Sequence, residues 1–62
     1  MSISDSIKRE RGYYTAVVVY WQRRAAWIFQ RSFQAETAAK EWVAEKRAVL
    51  TMYGPETAQA AE

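Results

Sequence analysis

Nine side chains of this 62-residue chain are cationic, and six of them fall within residues 1–33: Lys8, Arg9, Arg11, Arg23, Arg24 and Arg31. A guanidinium is always charged and presents a planar fork of donors, which suits the oxygens of phosphates and carboxylates. Arg23 and Arg24 sit side by side between two aromatic, β-branched runs, YYTAVVVYW before and AWIFQRSF after. Tyr20 and Trp27 flank the pair, and rings of this kind can stack on nucleobases or anchor a protein interface. The candidate binding set is therefore Lys8, Arg9, Arg11, Tyr20, Arg23, Arg24, Trp27 and Arg31, directed at a nucleic acid or another partner.

Catalytic chemistry has little to work with. The chain contains no histidine and no cysteine, and Ser32 has no base close to it in sequence. Glu41 and Glu45 stand at i,i+4, but they fall outside the apolar stripe of their segment and read as a solvated face. Gly12 and Gly54 are isolated, so no phosphate-cradling loop exists. Thiolate and imidazole metal sites are excluded by composition. The expectation is a non-catalytic protein with no cofactor.

The elements that must position these groups follow from periodicity. Residues 13–21 and 26–33 are rich in residues that favour strands. Gln22 to Ala25 forms the turn between them. It lacks Gly, Asn and Asp, so a tight two-residue turn would be strained and a longer loop is expected. From 35 to 53, Ala, Glu, Lys and Arg dominate, and Ala35, Ala38, Ala39, Trp42, Val43, Val49, Leu50 and Tyr53 share one side at 100° per residue. Lys46 projects into the middle of that stripe, where its stem can pack while the ammonium reaches past the sheet edge. Glu36 and Lys40 make an i,i+4 pair. Gly54 suits the C′ position, and Pro55 forbids continuation. Residues 1–11 read as a basic arm or short helix, and 54–62 as a frayed tail. The fold class expected is α+β, one domain: a long antiparallel hairpin over 13–33, with room for a third short edge strand, packed on one C-terminal helix over 35–53.

A turn of two or four residues makes cross-strand partners sum to 47. Tyr14, Tyr20, Trp27, Phe29, Arg31 and Phe33 then share one face. Thr15, Val17, Val19, Trp21, Ala26, Ile28, Gln30 and Ser32 share the other. The aliphatic face suits an Ala-rich helix, which would turn the aromatic face outward. Phe33, beside the helix start, favours the reverse. An outward aromatic face could be buried by a second copy, by nucleobases or by a protein.

Composition bounds the rest. Half of the residues are apolar, which points to a folded core. A chain this short buries only about 60% of the surface its unfolded form exposes, so self-association into a homodimer would help it. Met1 to Ile7 carries no apolar signal region, and the longest apolar run, Ala16 to Trp21, is too short to span a bilayer. A cytoplasmic location without membrane contact is the expectation. Net charge is +2, divided as +4 over residues 1–33 and −2 over residues 34–62.

Phe33, Ala39 and Trp42, in the stretch FQAETAAKEWVAE, have the spacing of a strand-to-helix joint. The stretch resembles that of phage integrase arm-type DNA-binding domains, and plant ethylene-responsive DNA-binding domains look similar with one residue more before the helix. The resemblance covers about half the chain. It implies a small antiparallel sheet on DNA with a helix behind it, and it would put Arg23, Arg24, Trp27 and Arg31 at the DNA. Those families have three strands where this sequence shows two convincing ones, and their usual capping Thr is Ala35 here.

Two readings follow. One is a small DNA-binding accessory or regulatory protein of phage or mobile-element type, acting on DNA or a nucleoprotein complex through the basic hairpin. The other is a phage-encoded inhibitor or adaptor that binds a host protein through an aromatic sheet face.

Overall fold

The computed structural model describes residues 2–60. Three antiparallel strands, β1 (Ser2–Glu10), β2 (Tyr13–Gln22) and β3 (Ala25–Phe33), form a meander with β2 in the centre. A long helix, α1 (Glu36–Met52), and a short one, α2 (Pro55–Ala60), follow. The α+β class and the hairpin-plus-helix core agree with the sequence reading. The register does as well: Tyr20 faces Trp27, Val18 faces Phe29 and Tyr14 faces Phe33.

Three local expectations are corrected. Residues 2–10 are neither arm nor helix but a full strand, with Ile3 opposite Tyr20 and Ile7 opposite Ala16. Its apolar signal is sparse because β1 is an edge strand whose outer positions hold Ser2, Ser4, Ser6 and Lys8. The loop between β2 and β3 is only two residues long, and Arg23 accepts a φ of 53° to make it. Residues 55–60 are a helix rather than a frayed tail, while 61 and 62 lie outside the described residues.

The helix layer covers the aromatic face, so the aliphatic face is the open one. Ala16, Val18, Tyr20 and Phe29 of the sheet are buried against Ala39, Val43 and Leu50 of α1, with Ala58 of α2 completing the core. The covalent path explains the choice. Only Gln34 and Ala35 separate Phe33 from the first turn of α1, so the chain folds beneath the face on which Phe33 stands. Phe33 then meets Trp42 with ring centroids 5.9 Å apart and planes tilted by 52°, a favourable aromatic arrangement. Volume agrees with this order. Small Ala39 and the large rings of Tyr20 and Phe29 are buried in one core, a mix of sizes that lets the layers pack densely.

Lys46 is buried at 7% exposure, not extended past the sheet edge. Its Nζ donates to the Ala58 carbonyl at 3.2 Å and lies 5.2 Å from the Phe29 ring centroid and 5.6 Å from that of Trp42. A cation in this setting gains from the ring quadrupoles and from a charge-assisted hydrogen bond. It ties α2 to α1 and to β3 at once. Arg47 pairs with Asp5 and ties α1 to β1. At the helix ends, Ala35 supplies no side-chain cap, and Gly54 at φ 99° donates to the carbonyls of Leu50 and Val49. Tyr53 stands outside the apolar stripe and is two-thirds exposed.

Two stability predictions arise here. Phe29→Ala should destabilise by about 3–5 kcal/mol, whereas Ile28→Thr, one residue away on the open face, should change stability by about 0.5 kcal/mol or less. Chemical denaturation of both variants checks the assignment of faces, and equal losses would contradict it. Lys46→Met keeps the stem and removes the charge. It should cost about 1–2 kcal/mol and raise amide exchange across α2 more than across α1.

Candidate nucleic-acid interface

The open face is built by alternation. β1 contributes Ser2, Ser4, Ser6, Lys8 and Glu10, β2 contributes Tyr13, Thr15, Val17, Val19 and Trp21, and β3 contributes Ala26, Ile28, Gln30 and Ser32. None of these faces the helices. Ile28 is 67% exposed, Trp21 44% and Tyr13 43%. Val19 stands beside Ile28, and Trp21 beside Ala26. The result is an apolar band along β2 and β3, bordered on the β1 side by serines.

The candidate residues named from the sequence do not converge on one patch. Lys8, Arg9 and Arg11 lie at the β1–β2 turn, and Arg23 and Arg24 at the β2–β3 turn. A ten-residue strand separates the two ends, a distance of about 30 Å at the usual strand rise. Tyr20 is 4% exposed beneath the helix layer, so it cannot meet a partner and is corrected to a core residue. Trp27 also faces the helix layer and is half-buried. Its Nε1 is buried with no hydrogen-bond partner among the described residues. Arg31 and Arg9 stand on the helix side at opposite edges of the sheet, and the Arg31 guanidinium lies 5.4 Å from the Phe33 ring centroid.

Thr15, Val17, Val19, Trp21 and Ile28 take the exposed place that the aromatic face was expected to hold. The signal for this was present in the short Phe33-to-helix link, which a count of apolar residues per face does not weigh.

Cations gather at the two ends of the sheet. The open face and its two turns carry four cations, Lys8, Arg11, Arg23 and Arg24, against one carboxylate, Glu10. Lys8 and Glu10 pair at 3.5 Å. The other described residues carry five cations, Arg9, Arg31, Lys40, Lys46 and Arg47, against five carboxylates, Asp5, Glu36, Glu41, Glu45 and Glu56. The open face itself is thus neutral, Lys8 against Glu10, and the excess of three charges lies in the turns, with Arg11 at one end of the sheet and Arg23 and Arg24 at the other. Among the described residues there is no group of three or more metal-ligating side chains, and no helix is long and apolar enough to cross a membrane.

Arg23 adds a conformational observation. It is the one non-glycine described residue with positive φ, a conformation that costs an L-residue roughly 1–2 kcal/mol. Glycine or asparagine would make this turn with less strain. Strained positions of this kind cluster where a side chain has a task.

Comparison of the chain with protein-family models, curated proteins and solved structures finds no match, so no family is assigned. Arg23→Gly should raise stability by roughly 0.5–1 kcal/mol through relief of the turn, measured by thermal melting. A loss of stability would show that the Arg23 side chain makes a structural contribution larger than the strain.

Proposed function

We propose that the chain is a non-catalytic DNA-binding protein, of the accessory or regulatory kind, that lays its open sheet face in the major groove. The observation that carries this reading is the placement of cations at both ends of the sheet: Arg11 in one turn, Arg23 and Arg24 in the other, and no carboxylate in either turn. Counterion release by such cations supplies most of the affinity in sequence-independent DNA binding. Size is compatible. The backbones of the outer strands are about 10 Å apart, and the major groove is about 12 Å wide. The long axis of the molecule is 36 Å, close to the roughly 34 Å of one duplex turn. Cations at both ends of the sheet could therefore reach phosphates while the face between them meets bases. Three strands backed by a helix is also the arrangement implied by the integrase arm-type resemblance.

A protein partner is the second reading, favoured by the exposed band of Val19, Trp21 and Ile28. Contiguous apolar surface on a small protein commonly marks an interface. Under it the chain acts as an inhibitor or adaptor, and Trp21→Ala should act mainly on the dissociation rate, with the arginines acting on association.

Fluorescence anisotropy of a labelled duplex over a salt series tests the first reading. Four phosphate-facing cations should give a slope of log affinity against log salt of about −3 to −4. The Arg23→Ala, Arg24→Ala double variant should flatten that slope by about two units and still melt cooperatively. Absence of binding to any duplex at low salt would sink the proposal.

A further inference from the structure

We infer that the centre of the open face reads thymine methyl groups, an inference that rests on the DNA-binding reading above. Around the middle of the face stand Ser6, Val17 and Gln30 in one row, with Ser4, Val19 and Ile28 on one side of it and Lys8, Thr15 and Ser32 on the other. On the central strand, Thr15, Val17 and Val19 cannot make the bidentate contact by which Arg, Lys, Asn or Gln selects guanine or adenine. Gln30 stands directly opposite Val17, where it can pair with adenine, the partner of the thymine that Val17 meets, and Lys8 stands opposite Thr15. Each base presents donors and acceptors in the major groove, but only thymine presents an apolar group there. An aliphatic side chain set against a donor or acceptor takes it out of water without replacing its hydrogen bond. Set against a methyl, the same side chain gains from burial of both surfaces. Central valines are therefore better matched to thymine than to any unmethylated base.

Spacing and stiffness support the match. Thr15, Val17 and Val19 project from the central strand at intervals of about 6.6–6.8 Å, close to the rise of two base pairs at roughly 3.4 Å each. All three are β-branched, so their methyl groups are held by restricted χ1 angles and lose little freedom on contact. They are already half-buried by the flanking strands, which leaves their tips as the contacting surface. The terminal arginines hold the sheet on phosphates, and the valines discriminate between base pairs.

The experiment changes the DNA rather than the protein. Four duplexes of about two helical turns are compared at one salt concentration: alternating A-T, alternating A-U, alternating G-C, and alternating G with 5-methylcytosine. Their phosphate charge is identical, and each pair differs by the major-groove methyl. Burial of one methyl is equivalent to about four-fold in affinity. With several contacts, the A-T duplex should bind about ten-fold or more tighter than A-U, and methylated G-C tighter than unmodified G-C. The Val17→Ser, Val19→Ser double variant should bring the A-T to A-U ratio close to one while keeping the salt slope. The base substitutions need no variant, so the test stands even where that protein fails to fold. Equal affinity for A-T and A-U overturns methyl reading and leaves DNA binding intact. Failure to bind all four duplexes at low salt overturns both.

Discussion

A three-stranded sheet has two faces, and the helices of this chain can cover one. Everything else in the structure depends on which one they cover. The link from Phe33 to α1 is two residues long, too short to carry the helix around the sheet edge, so the helix lies on the face that Phe33 already occupies. Tyr20, Phe29 and the rest of that face become core as a result. The opposite face, lined by Thr15, Val17, Val19, Trp21 and Ile28, is left uncovered by the same geometry.

Covering even one face of three strands is demanding for a helix as small-featured as α1, whose buried positions include Ala39 and a lysine. Two devices close the layer. Aromatic side chains of the sheet, Tyr20 and Phe29, share the buried core with Ala39, and α2 packs against α1 and adds Ala58 to that core. Lys46 joins these devices, because its ammonium sits against Phe29 and Trp42 and also donates a hydrogen bond to the Ala58 carbonyl. A leucine there would pack, but it would give α2 no polar anchor. The six-residue α2 is far too short to be stable alone, so its order depends on this docking.

The open side combines features that seldom coincide by chance in a self-contained domain. The turns at its two ends hold Arg11, Arg23 and Arg24, it exposes Ile28 and Trp21, and the second turn keeps an arginine at φ 53° where glycine would be easier. On the DNA-binding proposal, charge at the two ends supplies long-range attraction and the aliphatic groups between them supply short-range discrimination. Duplex DNA fits that division because its phosphates are regular and its base edges vary.

Much of this was legible from the sequence. Alternation in YYTAVVVYW and AWIFQRSF determined the central hairpin and its register, because period-two patterning leaves few alternatives once the pairing sum is set. Helix formers followed by Gly54 and Pro55 determined α1 and its end, because backbone freedom at glycine and the missing N–H of proline are local properties. Other features were decided only by the tertiary structure. Strand β1 has two inward isoleucines and little intrinsic preference for a strand, so it takes its form from pairing with β2. Arg23 accepts a left-handed turn because the ladders on either side of it are already set. Helix α2 and the burial of Lys46 require each other. The choice of covered face belongs to the tertiary level as well: residue types made both faces apolar enough to be core, and the length of the chain between Phe33 and Glu36 selected one.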